Sequence, residues 1–123
     1  MYGMSRGPYP GQSLAAAIPI AEMRGTVHIV RQTRGSLYDF VISTAVPVAF
    51  VRVKYTDWIL MTLPEAEVHY RDVINGLRAI ASTENISREL WLRSRHGTWR
   101  FFRVTGNGLV ELSRNGMVFN TPG

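Results

Sequence analysis

The chain has 123 residues, a formal net charge of +5 and a sequence pI near 10.2. This length is typical of one domain, and the positive charge favours polyanionic partners, with DNA as the first expectation. The absence of cysteine excludes disulfides and thiolate metal sites and fits a reducing, cytoplasmic environment, while no apolar run approaches the length that spans a bilayer.

The first segment, residues 1–12, is rich in glycine and proline. It is expected to form a flexible N-terminal arm ahead of a single domain at residues 13–123. An alanine-rich helix should follow over residues 13–23, with Ser13 as its N-cap. Pro19 lies inside this segment and must kink the helix, end it or begin a second short one.

Three β-rich runs follow, at residues 26–32, 36–43 and 48–55. The first two are separated by Thr33-Arg34-Gly35, which indicates a tight connection. Because strands joined by short turns lie antiparallel, the three runs predict a meander.

A second helix is predicted over residues 62–81. Thr62 can act as its N-cap, and Glu65 can complete a capping box. The apolar side chains recur at three- and four-residue steps, as expected for a helix that packs on a sheet: Ala66, Tyr70, Val73, Ile74, Leu77, Ile80 and Ala81.

The rest of the chain predicts β segments at residues 89–94, 99–105, 109–113 and 117–119. A helical crossover makes the strands on either side of it parallel. The order of helix, three-strand meander, crossover helix and C-terminal strands therefore predicts an α/β fold with a mixed sheet.

Lys54 is the only lysine among fourteen basic residues. It lies at the end of a predicted strand, and lysine differs from arginine as a compact charge whose pKa shifts readily on burial. Arg52 shares a strand face with Lys54, and Asp39 lies on the preceding strand. Since charged side chains within apolar β runs are costly unless exposed or paired, these three residues mark a candidate site.

The segments that carry these residues resemble the core of the PD-(D/E)XK nucleases, the restriction endonuclease-like superfamily. Tyr38-Asp39, then Phe50-Val51-Arg52-Val53-Lys54, then a helix and another strand follow the order of that core. The chain resembles the archaeal Holliday junction resolvases and their uncharacterised relatives in particular. The resemblance covers about residues 26–105.

Other stretches carry the same resemblance. Residues 30–36 are similar to the stretch with arginine, glycine and serine that precedes the acidic residue of those proteins, and residues 88–92 and 97–104 look like their aromatic final strands. From the first stretch, the residues expected to contact nucleic acid are Arg31, Arg34 and Ser36.

The resemblance implies Mg-dependent cleavage of DNA. Asp39 and an acidic residue two positions before the lysine would hold the metal, which activates water, and Lys54 would position that water or stabilise the developing charge. Arg52 stands where the second carboxylate belongs. At about 5 Å and an effective dielectric of roughly 20, its charge repels a dication by on the order of 6 kcal/mol. Metal binding would need Arg52 to turn away and another carboxylate to replace it.

Glu22, at the end of the first helix, is the leading replacement ligand, because an acidic residue of that helix often approaches the metal in the family. The alternatives are Asp57, Glu65 and Glu67. In the opposing interpretation, Arg52 pairs with Asp39 and Lys54 is solvated at the end of its strand. The three histidines have no spacing typical of zinc ligands.

Arginines and aromatic residues are interleaved towards the C-terminus: Trp91, Arg93, Arg95, Trp99, Arg100, Phe101, Phe102 and Arg103. This pattern can stack bases and grip phosphates, so Arg93 and Arg95 are predicted to bind nucleic acid, although alternation along a half-buried strand produces the same pattern. Phe101 and Phe102 must lie on opposite faces, so we expect at least one exposed or partner-covered ring. In the relatives this sheet often pairs two subunits, which suggests a homodimer.

Three functions fit these observations. The preferred one is a nucleic-acid-binding, nuclease-like domain with a degenerate metal site. The second is an active Mg-dependent, structure-specific endonuclease of the Holliday junction resolvase type, in which Asp39, Arg52 and Lys54 serve catalysis and Glu22 joins Asp39 on the metal. The third is a protein-interaction module with no nucleic-acid role.

Overall fold

The computed structural model describes residues 10–81 and 83–119. Most of the predicted arm, residues 1–9, lies outside the described residues, whereas residues 10–12 belong to the first helix. No helix in the described part of the chain is long and apolar enough to cross a membrane.

The first helix, α1, spans Pro10–Glu22 and packs on the sheet through Ala17, Ile20 and Ala21. Ser13 therefore lies within the helix and is not its N-cap. The helix also continues through Pro19. Pro19 is exposed, so water can bind the carbonyl that loses its helical donor, and the burial of the opposite side outweighs that loss.

One six-stranded sheet follows the chain order. Its strands are β1 (Val27–Ile29), β2 (Phe40–Ile42), β3 (Val48–Thr56), β4 (Ile86–Ser94), β5 (Trp99–Val104) and β6 (Leu109–Leu112), and two helices, α2 (Leu63–His69) and α3 (Arg71–Arg78), connect β3 to β4. All neighbouring strands are antiparallel except β3 and β4, which are parallel. The predicted α/β class, the meander and the parallel pair are confirmed.

The predicted single helix over residues 62–81 is instead two helices that meet at Tyr70. Its start is as predicted, because Thr62 and Glu65 form the capping box. At Tyr70 the backbone turns to φ −109° and ψ 28°, and the Tyr70 hydroxyl donates to the carbonyl of Tyr55 at 3.4 Å. Tertiary packing of the ring thus interrupts a segment whose periodicity alone predicts one helix.

Both faces of the sheet are covered, and each has its own core. The face under α1 buries Phe40, Ile42, Ala49, Val51, Val53, Trp91, Phe101 and Leu112. The face under α2 and α3 buries Leu90, Leu92, Phe102, Val104 and Leu109. Phe101 and Phe102 do lie on opposite faces, but both rings are buried. The expectation of an exposed ring is wrong because helices cover both sides of β5.

The first two strands are shorter than predicted, so residues 30–39 form a long connection between β1 and β2. The cause lies at Asp39. Its backbone N–H donates to the carbonyl of Val51 at 2.7 Å, but its side chain then accepts the N–H of Val53, also at 2.7 Å. A carboxylate thus takes the place of a strand partner along the last part of β3.

Candidate functional site

The carboxyl ends of β3 and β4 and the 30–39 connection lie at one edge of the sheet. The parallel register pairs Tyr55 with Arg93, near the ends of both strands. Because β2 runs antiparallel to β3, its amino end and the connection before it lie at the same edge. Three separate segments therefore bring polar side chains together here.

A groove of about 530 Å³ opens at this edge, between the start of α1 and the uncovered end of β3. Its polar lining consists of Ser13, Gln32, Asp39, Arg52, Lys54 and Tyr55. We call it the Asp39 groove. The sequence-predicted residues Asp39, Arg52 and Lys54 thus line one cavity.

Asp39 is 8% exposed, and both of its carboxylate oxygens are engaged. Oδ2 accepts the Val53 N–H at 2.7 Å, and Oδ1 lies 3.4 Å from Nη1 of Arg52. The same Arg52 nitrogen donates to Oε1 of Gln32 at 3.2 Å. Lys54 makes no ion pair with any residue that the structure describes. The geometry is that of the interpretation in which Arg52 pairs with Asp39.

The side chains at this edge do not fit a magnesium ion. Mg²⁺ binds oxygen ligands in near-octahedral geometry, and here a guanidinium lies against Asp39 where a second carboxylate would be needed. Glu22 does not reach Asp39. It lies exposed at the far end of α1, eight residues beyond Leu14, or about 12 Å along the helix axis. Within residues 10–81 and 83–119, no cluster of three or more His, Asp or Glu side chains is arranged to hold a metal.

The other replacement carboxylates have different partners. Asp57 accepts a hydrogen bond from the Tyr55 hydroxyl at 2.8 Å, and Glu65 is used in the capping box of α2. Glu67 accepts the Leu109 N–H at 3.2 Å. None of the three lines the Asp39 groove.

The arginines predicted to bind nucleic acid all lie at this edge. Arg31 and Arg34 are exposed on the 30–39 connection, and Arg95 is exposed just beyond β4. Arg93 is partly buried, and its Nε has no hydrogen-bond partner among the described residues. A buried N–H without an acceptor costs about 1–3 kcal/mol.

Tyr55 and Ser36 also lie at this edge of the sheet. The hydrogen bond to Asp57 raises the pKa of the Tyr55 hydroxyl, and the charges of Arg95 and Arg93 oppose that shift. Ser36, also predicted to bind nucleic acid, accepts the Thr33 N–H at 2.9 Å. Its hydroxyl therefore shapes the turn.

Six other arginines are held by hydrogen bonds to protein groups: Arg24, Arg52, Arg78, Arg88, Arg100 and Arg103. Arg100, for example, forms a paired contact with Glu111 at 2.8 and 2.9 Å and lies over the Phe102 ring. Near the C-terminus, therefore, much of the interleaved arginine–aromatic pattern belongs to the folded interior. Arg93 and Arg95 are the arginines of that pattern without a hydrogen-bond acceptor among the described residues.

Sequence reasoning missed Glu89, a charged residue with no exposed surface. Arg24 donates to its two oxygens at 2.8 and 3.0 Å, Ser87 at 2.7 Å and Trp91 at 3.0 Å. Burial acts to raise the pKa of Glu89. The hydrogen bonds and charge of Arg24, together with the hydrogen bonds from Trp91 and Ser87, outweigh burial and lower that pKa. A lone acid within an apolar strand was the available signal, but its partner lies 65 residues away.

No protein-family model, curated protein or solved structure matches this chain. Its function is therefore inferred from the geometry of its own side chains.

Proposed function

We propose that this chain is a nucleic-acid-binding domain of the restriction endonuclease-like type that binds DNA at the Asp39 groove without metal-dependent cleavage. The observation that carries the proposal is the position of Arg52. Its guanidinium pairs with the carboxylate that the nuclease resemblance assigns to the metal, 3.4 Å from Oδ1. A cation at this position replaces the charge of a metal ion but supplies no site for an activated water.

The distribution of charge supports DNA as the partner. Five cationic side chains lie at this edge and are not paired with an acid in the described structure: Arg31, Arg34, Lys54, Arg93 and Arg95. Phosphate contacts from such residues release counterions, which gives affinity without sequence readout. The Arg52 guanidinium balances the negative charge of Asp39, which would otherwise repel a phosphate.

Fluorescence anisotropy with a labelled duplex and a labelled four-way junction tests DNA binding. If the five cations contact phosphates, the logarithm of the affinity should fall with the logarithm of the salt concentration with a slope of about −4 to −5. Binding should persist in EDTA. A flat salt response would contradict the proposal and favour the protein-interaction alternative.

The same substrates, incubated with Mg²⁺ or Mn²⁺, distinguish the module from the enzyme. We expect them to stay intact. Metal-dependent cleavage that Lys54→Ala abolishes while leaving the fold intact would instead establish the endonuclease alternative, with Mg²⁺ as its cofactor.

The variant Arg52→Glu tests the kinship itself. It restores the carboxylate that the family pattern requires and removes a repulsion on the order of 6 kcal/mol. Isothermal calorimetry should detect Mn²⁺ binding to Arg52→Glu, and not to the wild type or to the double variant Asp39→Asn/Arg52→Glu. Failure of Arg52→Glu to bind metal while folded would argue against nuclease ancestry of this groove. A homodimer remains part of the proposal, and sedimentation equilibrium measures it directly.

A further inference from the structure

A second concave surface lies at the opposite edge of the sheet, where β3 begins. It is a groove of about 480 Å³ between the end of α1, the β2–β3 connection and the turn after β6. Its apolar lining includes Met23, Val46, Met117 and Val118. We call it the Met23 groove.

Exposed apolar side chains are concentrated at this groove. Ten large apolar side chains are exposed in the described residues, and five of them are these four and the adjacent Phe119. Met23 is 84% exposed and Val46 is 92% exposed. Single exposed apolar residues are ordinary, but a contiguous group of them around a concavity indicates a binding surface.

The charged side chains that line the groove and the cavity beside it are all arginines. Arg24 and Arg103 line it, and Arg114 lines the cavity that adjoins it at Met23. Neither cavity is lined by an Asp or Glu side chain. The charge of Arg24 is matched by Glu89, but Arg103 donates to the neutral Ser87 hydroxyl and Arg114 is exposed. The surface therefore combines apolar walls with an unbalanced positive charge.

The part of the groove wall formed by Arg24 is held in place by two sets of contacts. Glu89 accepts two hydrogen bonds from the Arg24 guanidinium, and the turn at Gly116 packs against the same guanidinium. A Cβ added to Gly116, whose φ is +87°, would lie 2.6 Å from Cζ of Arg24. A wall fixed before binding lowers the entropy cost of association.

These features select among possible occupants. A second copy of this chain would bring the same arginines together across a two-fold axis, where like charges repel. A flat bilayer would contact the protruding ends of these side chains but would leave the concavity between them unfilled. Nucleic acid would leave the apolar walls without apolar partners. An acidic segment with large apolar side chains satisfies both the walls and the arginines.

We propose that the Met23 groove binds an acidic, amphipathic peptide segment of another protein. This site is separate from the Asp39 groove, at the other edge of the sheet, and does not depend on the function proposed for that groove.

A random peptide library displayed on phage and selected on the full chain tests the proposal. The enriched peptides should combine Asp or Glu with Leu, Ile, Phe, Trp or Met. A synthetic copy of an enriched peptide is then titrated by calorimetry. Its affinity should fall about tenfold for Met23→Ser, as for a central apolar contact, and about threefold for Arg114→Gln, as for an exposed ion pair. A peptide with each acid replaced by Lys should not bind.

Matched variants control for loss of folding and for nonspecific stickiness. Leu60 is 85% exposed, close to the 84% of Met23, and does not line the groove, so Leu60→Ser should bind the peptide as the wild type does. Arg71→Gln is the corresponding charge control, and circular dichroism verifies that each variant is folded.

Several results would overturn the proposal. Selection without enrichment of acidic and apolar residues is one, and equal affinity for Met23→Ser and the wild type is another. A dimer in sedimentation that Met23→Ser dissociates would assign the groove to a second copy. Binding to phosphatidylcholine–phosphatidylserine vesicles that Met23→Ser abolishes would assign it to an anionic membrane surface.

Discussion

Two arginine–carboxylate pairs, each with one partner in a strand of the sheet, differ in almost every physical respect. Arg24 and Glu89 make two contacts of 2.8 and 3.0 Å, and their side chains are 8% and 0% exposed. Arg52 and Asp39 make one contact of 3.4 Å, with side chains 21% and 12% exposed, beside a lysine and a groove. The first pair is enclosed and serves the fold. The second lines an open groove that a ligand can enter.

The largest expected effect on stability comes from removing the arginine of each pair in turn. Arg24→Ala leaves the Glu89 carboxylate buried without its cation and should lower the free energy of unfolding by about 3–5 kcal/mol. Arg52→Ala should lower it by about 1 kcal/mol or less, because water can solvate Asp39 in part. Urea denaturation at pH 7 measures both. Equal losses would show that the two pairs are not distinct in kind.

The second largest effect is expected from acid, which should weaken the pair of Arg24 and Glu89. The pKa of Glu89 is lower in the folded chain than its ordinary value of 4.5, so the stabilisation is complete above that value. It is lost as the pH falls from about 4.5 through the lower pKa of the folded state. The urea midpoint of the wild type should therefore fall more steeply below pH 4.5 than that of Glu89→Gln. Parallel curves for the two proteins would contradict the lowered pKa.

A smaller effect is expected where the chain packs on Arg24. Gly116→Ala must accept a positive φ, at about 1–2 kcal/mol, and must also displace the Arg24 guanidinium. Gly97 has a similar φ of +82° with no atom within 4 Å of an added Cβ, so Gly97→Ala isolates the backbone cost. Thermal unfolding should show a larger loss for Gly116→Ala. A loss no greater than that of Gly97→Ala would mean that Arg24 moves without cost.

The smallest effect concerns DNA binding at the edge of the sheet that carries the Asp39 groove. Arg34→Ala should weaken DNA binding by about 1 kcal/mol or less, equally for different sequences, and should reduce the magnitude of the salt slope by about one. Arg114→Ala, at the opposite edge, removes the same charge and should leave that slope unchanged. Anisotropy titrations at several salt concentrations compare the two variants. An unchanged slope for Arg34→Ala would remove the 30–39 connection from the DNA-binding surface.

Local pattern predicted much of the fold because strands and helices leave periodic signals in the sequence. The capping residues Thr62 and Glu65, the parallel pair across the crossover and the proximity of Asp39 to Arg52 and Lys54 all followed from spacing. The break at Tyr70 and the continuation of α1 through Pro19 did not, because each depends on packing against distant residues.

The sequence by itself determined the class of fold, the basic charge and the convergence of one aspartate and one lysine at a strand end. The tertiary structure alone decided which arginines are interior and which are accessible, because that depends on partners far apart in the chain, as with Arg24 and Glu89. It also decided that Arg52 faces Asp39 and that Met23 and Met117 line one groove. Alternation along a strand predicts that two side chains share a face, but it does not predict which residues of other segments lie opposite them.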